Sequence, residues 1–167
     1  MDHRIILCMS KKSVYLETSV ISYLTSRPSR DAVVLGHQII TRQWWDECRE
    51  VFNLFTSEVV IDEAQRGHPD AAAKRIAAME NLPLLEVTEQ AERFGEQLLL
   101  KKIVPEKATI DALHMGVACD NGMDYLLSWN CRHIANIHNY IAIKEMCADY
   151  HYQAPVICTP EQLLEEM

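Results

Sequence analysis

From residue 13 to the end, short β-branched or aromatic runs alternate with one or two helical stretches. That alternation leaves few folds open. Strand-like runs fall at about 13–17, Phe52–Thr56, Leu82–Val87, Asp124–Trp129 and Val156–Cys158. Between them, helical spacing predicts helices over Thr18–Ser26, from a Ser29 cap to about Cys48, over Glu58–Arg66, from Pro69 to about Glu80, and from a Thr88 cap through Leu100. Further helices are predicted from Pro105 to about Asp120 and over Ile137–Tyr150, with a loop over Asn130–Asn136 between them. Thr159-Pro160-Glu161-Gln162 combines a cap, a first-turn proline and a capping-box glutamine, marking a last helix. Strands that always return through helices pair in parallel, with helices on both faces. The fold class expected is therefore α/β, and residues 1–167, with no repeat or linker in view, are read as one domain.

Parallel sheets present ligand-binding groups at the carboxyl ends of their strands. The first run ends there on an acid, Glu17, followed by the hydroxyls of Thr18 and Ser19. Two more acids sit at helical positions beside apolar neighbours: Glu63 near Val59 and Val60, and Asp111 between Ile110 and Leu113. The fourth run leads into Asn130. If the first and fourth strands are neighbours, Glu17 and Asn130 face each other across the crevice. Carboxylates converging from separate elements repel unless a cation lies between them. Hard oxygen ligands select Mg2+ or Mn2+, and one or two such ions suit phosphodiester hydrolysis. The bland alternative is that these acids, drawn from 24 Asp and Glu residues, lie on solvated helix faces.

Composition narrows the class further. A formal charge of -8 argues against a protein that grips nucleic acid with its whole surface, yet ion-binding acids contribute to that count. Arg27, Arg30, Arg42, Lys101, Lys102, Lys107 and Arg132 are candidates for a local basic rim, with solvated helix ends as the alternative. The six cysteines show no metal-type spacing and read as small core residues. No apolar run approaches a membrane span and Met1–Ser10 does not read as a signal peptide, so a cytoplasmic protein with no membrane association is expected.

In order and spacing, VYLETSVISYL, SEVVIDEAQRG, PEKATIDALHMGVA and DYLLSWNCRHI, together with the tail PVICTPE, resemble the motifs of PIN-domain ribonucleases, especially the VapC-like toxins of toxin–antitoxin pairs. The resemblance covers nearly the whole chain. It implies a three-layer α/β/α sandwich around a parallel five-stranded sheet, and a Mg2+ or Mn2+ site (one or two ions) that activates water to cut RNA. It also implies an antitoxin protein as partner and a homodimer. By position, Glu17, Glu63 and Asp111 match the family's first three acids, which would hold metal, and Asn130 takes the place of the fourth. Thr18 and Ser19 match its hydroxyl pair, with substrate contact or helix capping as their roles. Arg132 suits a phosphate, and His133 suits substrate orientation, proton donation or a bond within its loop.

Two departures qualify the resemblance. Glu17 stands where the family usually has Asp, and its extra methylene moves the carboxylate. Neutral Asn130 replaces an acid, which weakens a second ion more than the first. Asp62 or Asp124 would be the sources of replacement charge. His114, one turn after Asp111, is a candidate for a supporting role, with packing or a surface position as its alternatives. Trp44 and Trp45 read as core or interface residues. A non-catalytic RNA-binding or interaction module on the same fold is the competing function. A Rossmann-like phosphohydrolase is disfavoured because Glu17 opens no Asp-x-Asp motif.

Overall fold

The computed structural model describes residues 11–165. Cys8 and the stretch tested for a signal peptide lie outside them. Five strands, β1 (Ser13–Leu16), β2 (Asn53–Ser57), β3 (Leu84–Leu85), β4 (Tyr125–Leu127) and β5 (Val156–Cys158), form one sheet in the order β3-β2-β1-β4-β5. Every pairing is parallel. Strand β1 is central, with Tyr15 level with Phe55 on one side and Leu126 on the other. Val14, Tyr15 and Leu16 are fully buried, which fits a strand covered on both faces. The first and fourth strands are neighbours, so the order reverses between them and the crevice opens where β1 and β4 end.

The helices are α1 (Thr18–Thr25), α2 (Ala32–Cys48), α3 (Glu58–Ala64), α4 (Pro69–Met79), α5 (Glu89–Leu100), α6 (Thr109–Asp120), α7 (Ile137–Asp149) and α8 (Pro160–Glu165). Helix α1 packs on α2, α3 and α4, and α2 packs on α8, while α5 and α6 pack closely on each other. With the parallel sheet between helical layers, the architecture is the three-layer α/β/α sandwich expected from the alternation. Gly116 permits the α5–α6 approach, because a Cβ there would stand 2.1 Å from the Ala91 carbonyl oxygen. That contact fixes the helix carrying Asp111 and His114.

Several boundaries differ from the sequence reading for visible reasons. Strand β3 has two residues instead of six: Leu82 N–H is spent on Met79 O at 2.9 Å, and Pro83 has no N–H to give. Helix α6 starts at Thr109, not Pro105, because residues 105–108 close a turn in which Ala108 N–H donates to Pro105 O at 2.8 Å. The cap of α2 is Asp31, whose carboxylate accepts from Val33 N and Val34 N, and not Ser29. At the last helix the expected capping box is present, with Thr159 N–H donating to Gln162 Oε1 at 2.9 Å and Gln162 N–H to Thr159 Oγ1 at 3.3 Å. Among the described cysteines four are buried and Cys131 is exposed. Trp44 is fully buried, and Trp45 is half-buried with the Arg49 guanidinium 5.7 Å from its ring.

Candidate active site

Leaving β1, the chain passes directly into α1, and Glu17 is the cap residue between them, with extended φ and ψ of -79° and 159°. Its carboxylate folds back onto the helix start, where free N–H groups favour negative charge. Oε1 accepts from Ser19 N at 3.1 Å, and Oε2 accepts from Ser19 Oγ at 2.5 Å and Ser128 Oγ at 2.7 Å. Ser128, just beyond β4, is fully buried, and Glu17 itself is only 6% exposed. The acid at the end of the central strand is thus locked by one hydroxyl from the first turn of α1 and one from the residue that follows β4.

Glu63 lies in the last turn of α3, whose start is capped by Ser57. Its Oε2 accepts from Thr18 Oγ1 at 2.5 Å and His114 Nε2 at 2.9 Å. Burial raises the pKa of this carboxyl, but the hydrogen bonds from His114 and Thr18 and the charge of Arg66 outweigh it, so the group ionises below its ordinary range. The hydroxyls of Thr18 and Ser19 are therefore both engaged with carboxylates. Ser19 Oγ also accepts from Trp129 N at 2.8 Å, tying α1 to the end of β4.

Asp111 opens α6 and pairs with His133, Oδ2 to Nδ1, at 2.7 Å. The Asn130 side chain is turned into its own loop, where Oδ1 accepts from His133 N at 3.1 Å. Its backbone N–H donates to Ser128 Oγ at 2.9 Å, one bond removed from Glu17. Among the described residues, the group of acids, His and Cys able to share an ion is Glu17, Glu63 and His114, with one ligand atom from each lying within 4.8 Å of the others. The structure brings together two of the three predicted acids; Asp111 stands outside that group, one turn before His114 on the same helix face.

Other predicted contributors are placed elsewhere. Asp124 sits at the start of β4, at the end of the strands remote from Glu17, where it accepts from Ser13 N at 2.9 Å and Lys12 Nζ at 2.9 Å. It cannot supply the charge that Asn130 lacks. Asp62 is exposed. Arg42 is not part of a free rim: it donates to Ser26 O at 2.7 Å and Leu24 O at 3.4 Å, closing the end of α1. Arg132, Lys102 and His133 line a groove of about 1070 Å3 floored by residues including Leu99, Ile103 and Val104.

Sequence reasoning passed over Tyr15, Ser57 and Ser128. Tyr15 lies two residues before Glu17 and so projects from the same face of β1; that pairing was the available signal. Tyr15 Oη bonds both Ser57 Oγ at 2.7 Å and His114 Nδ1 at 2.8 Å, and burial pushes its phenol well above the usual range.

No family model matches the chain and no curated protein matches it. Among solved structures it is similar to VapC20 of Mycobacterium tuberculosis, described as a Sarcin-Ricin loop cleaving toxin, with a TM-score of 0.57 and 19% identity over 73% of this chain and 93% of that one. A likeness at this identity is one of fold, and it agrees with the strand order and the layers described above. The chain carries the three-layer PIN-like fold of that VapC toxin.

Proposed function

We propose that the protein is a metal-dependent endoribonuclease, the toxin of a toxin–antitoxin pair, acting in the cytoplasm as a single-domain chain. The observation that carries this reading is the meeting of Glu17 and Glu63 at the mouth of the β1–β4 crevice, on a fold shared with an RNA-cleaving toxin. Their donor set fits a hard divalent ion. Two carboxylates converge with no Lys or Arg ion pair to either among the described residues, and Glu63 is held ionised. Mg2+ or Mn2+ bound there supplies electrophilic activation of water and neutralisation of phosphate charge.

The chain's own groups complete the assignment. Glu17 and Glu63 would hold the ion, with Asp111, one turn before His114, as the third acid beside them while its Oδ2 orients His133. With Nδ1–H given to Asp111, the doubly protonated ring of His133 carries a second hydrogen on Nε2, which it would pass to the departing oxygen. Arg132 binds phosphate in the adjoining groove. Asn130 holds the loop that presents both residues, and its neutral amide favours one ion over two. Exposed Leu100, Ile137 and Ile141 are apolar surface of the kind an inhibitor protein or a second copy would cover. No helix of the described residues is long and apolar enough to cross a membrane.

The deciding experiment incubates the protein with a mixed RNA pool and Mg2+ or Mn2+. Cleavage should fall at least about 100-fold in Glu63→Gln and Asp111→Asn, the scale seen when one group stabilising transition-state charge is lost. Cleavage unchanged in both would remove the assignment. The competing reading, a non-catalytic module on the same fold, draws on Asn130, whose Oδ1 is turned to backbone. It requires that calorimetric titration with Mn2+ show no saturable heat.

A further inference from the structure

Behind Glu63 stands a line of three fully buried polar side chains, Ser57, Tyr15 and His114. The contacts run Ser57 Oγ to Tyr15 Oη at 2.7 Å, Tyr15 Oη to His114 Nδ1 at 2.8 Å, and His114 Nε2 to Glu63 Oε2 at 2.9 Å. A buried polar network of this kind is costly unless every member is satisfied, and with a neutral ring only one arrangement of hydrogens satisfies all of it. An ionised carboxylate can only accept, so Nε2 carries the hydrogen. In the neutral ring Nδ1 is then an acceptor, Tyr15 donates to it, and the phenol oxygen accepts from Ser57. With a doubly protonated ring Nε2 would keep its hydrogen all the same. The reverse order would set the Nε2 lone pair against carboxylate lone pairs.

We infer that His114 is a positioning residue for the ion site and not a ligand: anchored by Tyr15 and Ser57, its Nε2–H fixes Oε2 of Glu63 and leaves Oε1 to hold the ion. This rests on the ribonuclease reading. Proximity alone would make His114 the third ligand, because its nitrogen lies within 4.8 Å of both carboxylates. Both ring nitrogens, however, are already committed. Partners that orient a metal-binding carboxylate set affinity through geometry, and their loss costs about 10–100-fold. With His114 outside the coordination sphere, the donors from Glu17 and Glu63 are all oxygen, so Mg2+ and Mn2+ are both accepted. A nitrogen ligand would instead tilt the site toward softer transition metals.

Mn2+ serves as the probe, because its paramagnetism reports ligand nuclei without any RNA present. Pulsed electron paramagnetic resonance of the Mn2+-loaded protein should show no directly coordinated nitrogen. Titration should give Mn2+ affinity about 10–100-fold weaker in His114→Ala, and largely restored in His114→Gln, whose amide nitrogen reaches the place of Nε2 and can donate to Glu63. Tyr15→Phe, which frees the ring without removing it, should weaken binding severalfold. Thermal melting checks that each variant is folded, and the resonance measurement needs no variant at all. A coordinated-nitrogen signal, or equal affinity in folded His114→Ala, would overturn the inference and leave the ribonuclease reading in place. Failure of the unsubstituted protein to bind Mn2+ saturably would overturn both.

Discussion

Ser19 joins both sides of the crevice with one hydroxyl, donating to Glu17 and accepting from Trp129 N. In Ser19→Ala the Trp129 N–H loses its partner and Glu17 loses a donor, and leaving a buried polar group unsatisfied costs about 1–3 kcal/mol. Urea unfolding should show that loss as a lower midpoint at unchanged slope. Asn130 tests the charge of the site. Because Asn130 Oδ1 already accepts from His133 N, an aspartate there keeps the loop bond and adds a charge near Glu17. Asn130→Asp should tighten Mn2+ about tenfold by calorimetry, since affinity at oxygen sites follows ligand charge count; no change would show that the fourth position does not govern the ion. At this scale the sequence disclosed acids better than it disclosed their partners. Glu17, Glu63 and Asp111 each stood out against apolar neighbours, whereas Ser128 and Ser57 become relevant only when β4 and β2 are laid against β1, a long-range pairing that no local pattern encodes.

Elements are held as much by how they end as by what they bury. Helix α5 finishes in a Schellman motif, with Lys102 N donating to Leu99 O and Ile103 N to Leu98 O, each at 2.9 Å. The left-handed position belongs to Lys102 at φ 55°, where a side chain is disfavoured. Lys102→Gly should therefore stabilise the protein by about 0.5–1 kcal/mol, once glycine's greater unfolded-state freedom is subtracted; differential scanning calorimetry would register a higher Tm. Gly116 is the opposite case. Ala91 O occupies the space a Cβ would need, and that obstacle is backbone. Gly116→Ala should destabilise by about 3 kcal/mol, the upper end for overpacking, and by moving α6 it should also weaken Mn2+ binding. The helix periodicity of α5 and α6 was readable, as were the caps at Thr88 and Thr159. The closeness of α5 to α6 was not, because a single glycine in a helical run does not reveal which backbone it admits.

Across the whole molecule, β1 is held at both ends by carboxylates in unlike circumstances. At the crevice end Glu17 and Glu63 gather at the site; at the other, Asp124 binds Ser13 N, Ser13 Oγ and Lys12. Alternation of strands and helices was enough to foresee a parallel sheet between helical layers. It was not enough to order the strands, which the pairing of β1 with both β2 and β4 settles. Burial alone would raise the pKa of Asp124, but the bonds from Ser13 and Lys12 carry it below its ordinary 3.8. A carboxyl whose folded pKa is depressed contributes stability that is fully present above its unfolded pKa and is lost as pH falls through the folded value. Lys12 is 59% exposed, so its charge is screened and the Ser13 bonds carry most of the effect. Asp124→Asn should thus cost about 1 kcal/mol at pH 7, a gap that closes as pH drops below about 3.8 because the native aspartate becomes neutral as well. Chemical denaturation of both proteins across that range checks the sign. A gap independent of pH would mean that Asp124 acts through shape and not through charge, and that the sheet's far end needs no carboxylate to join β1 to β4.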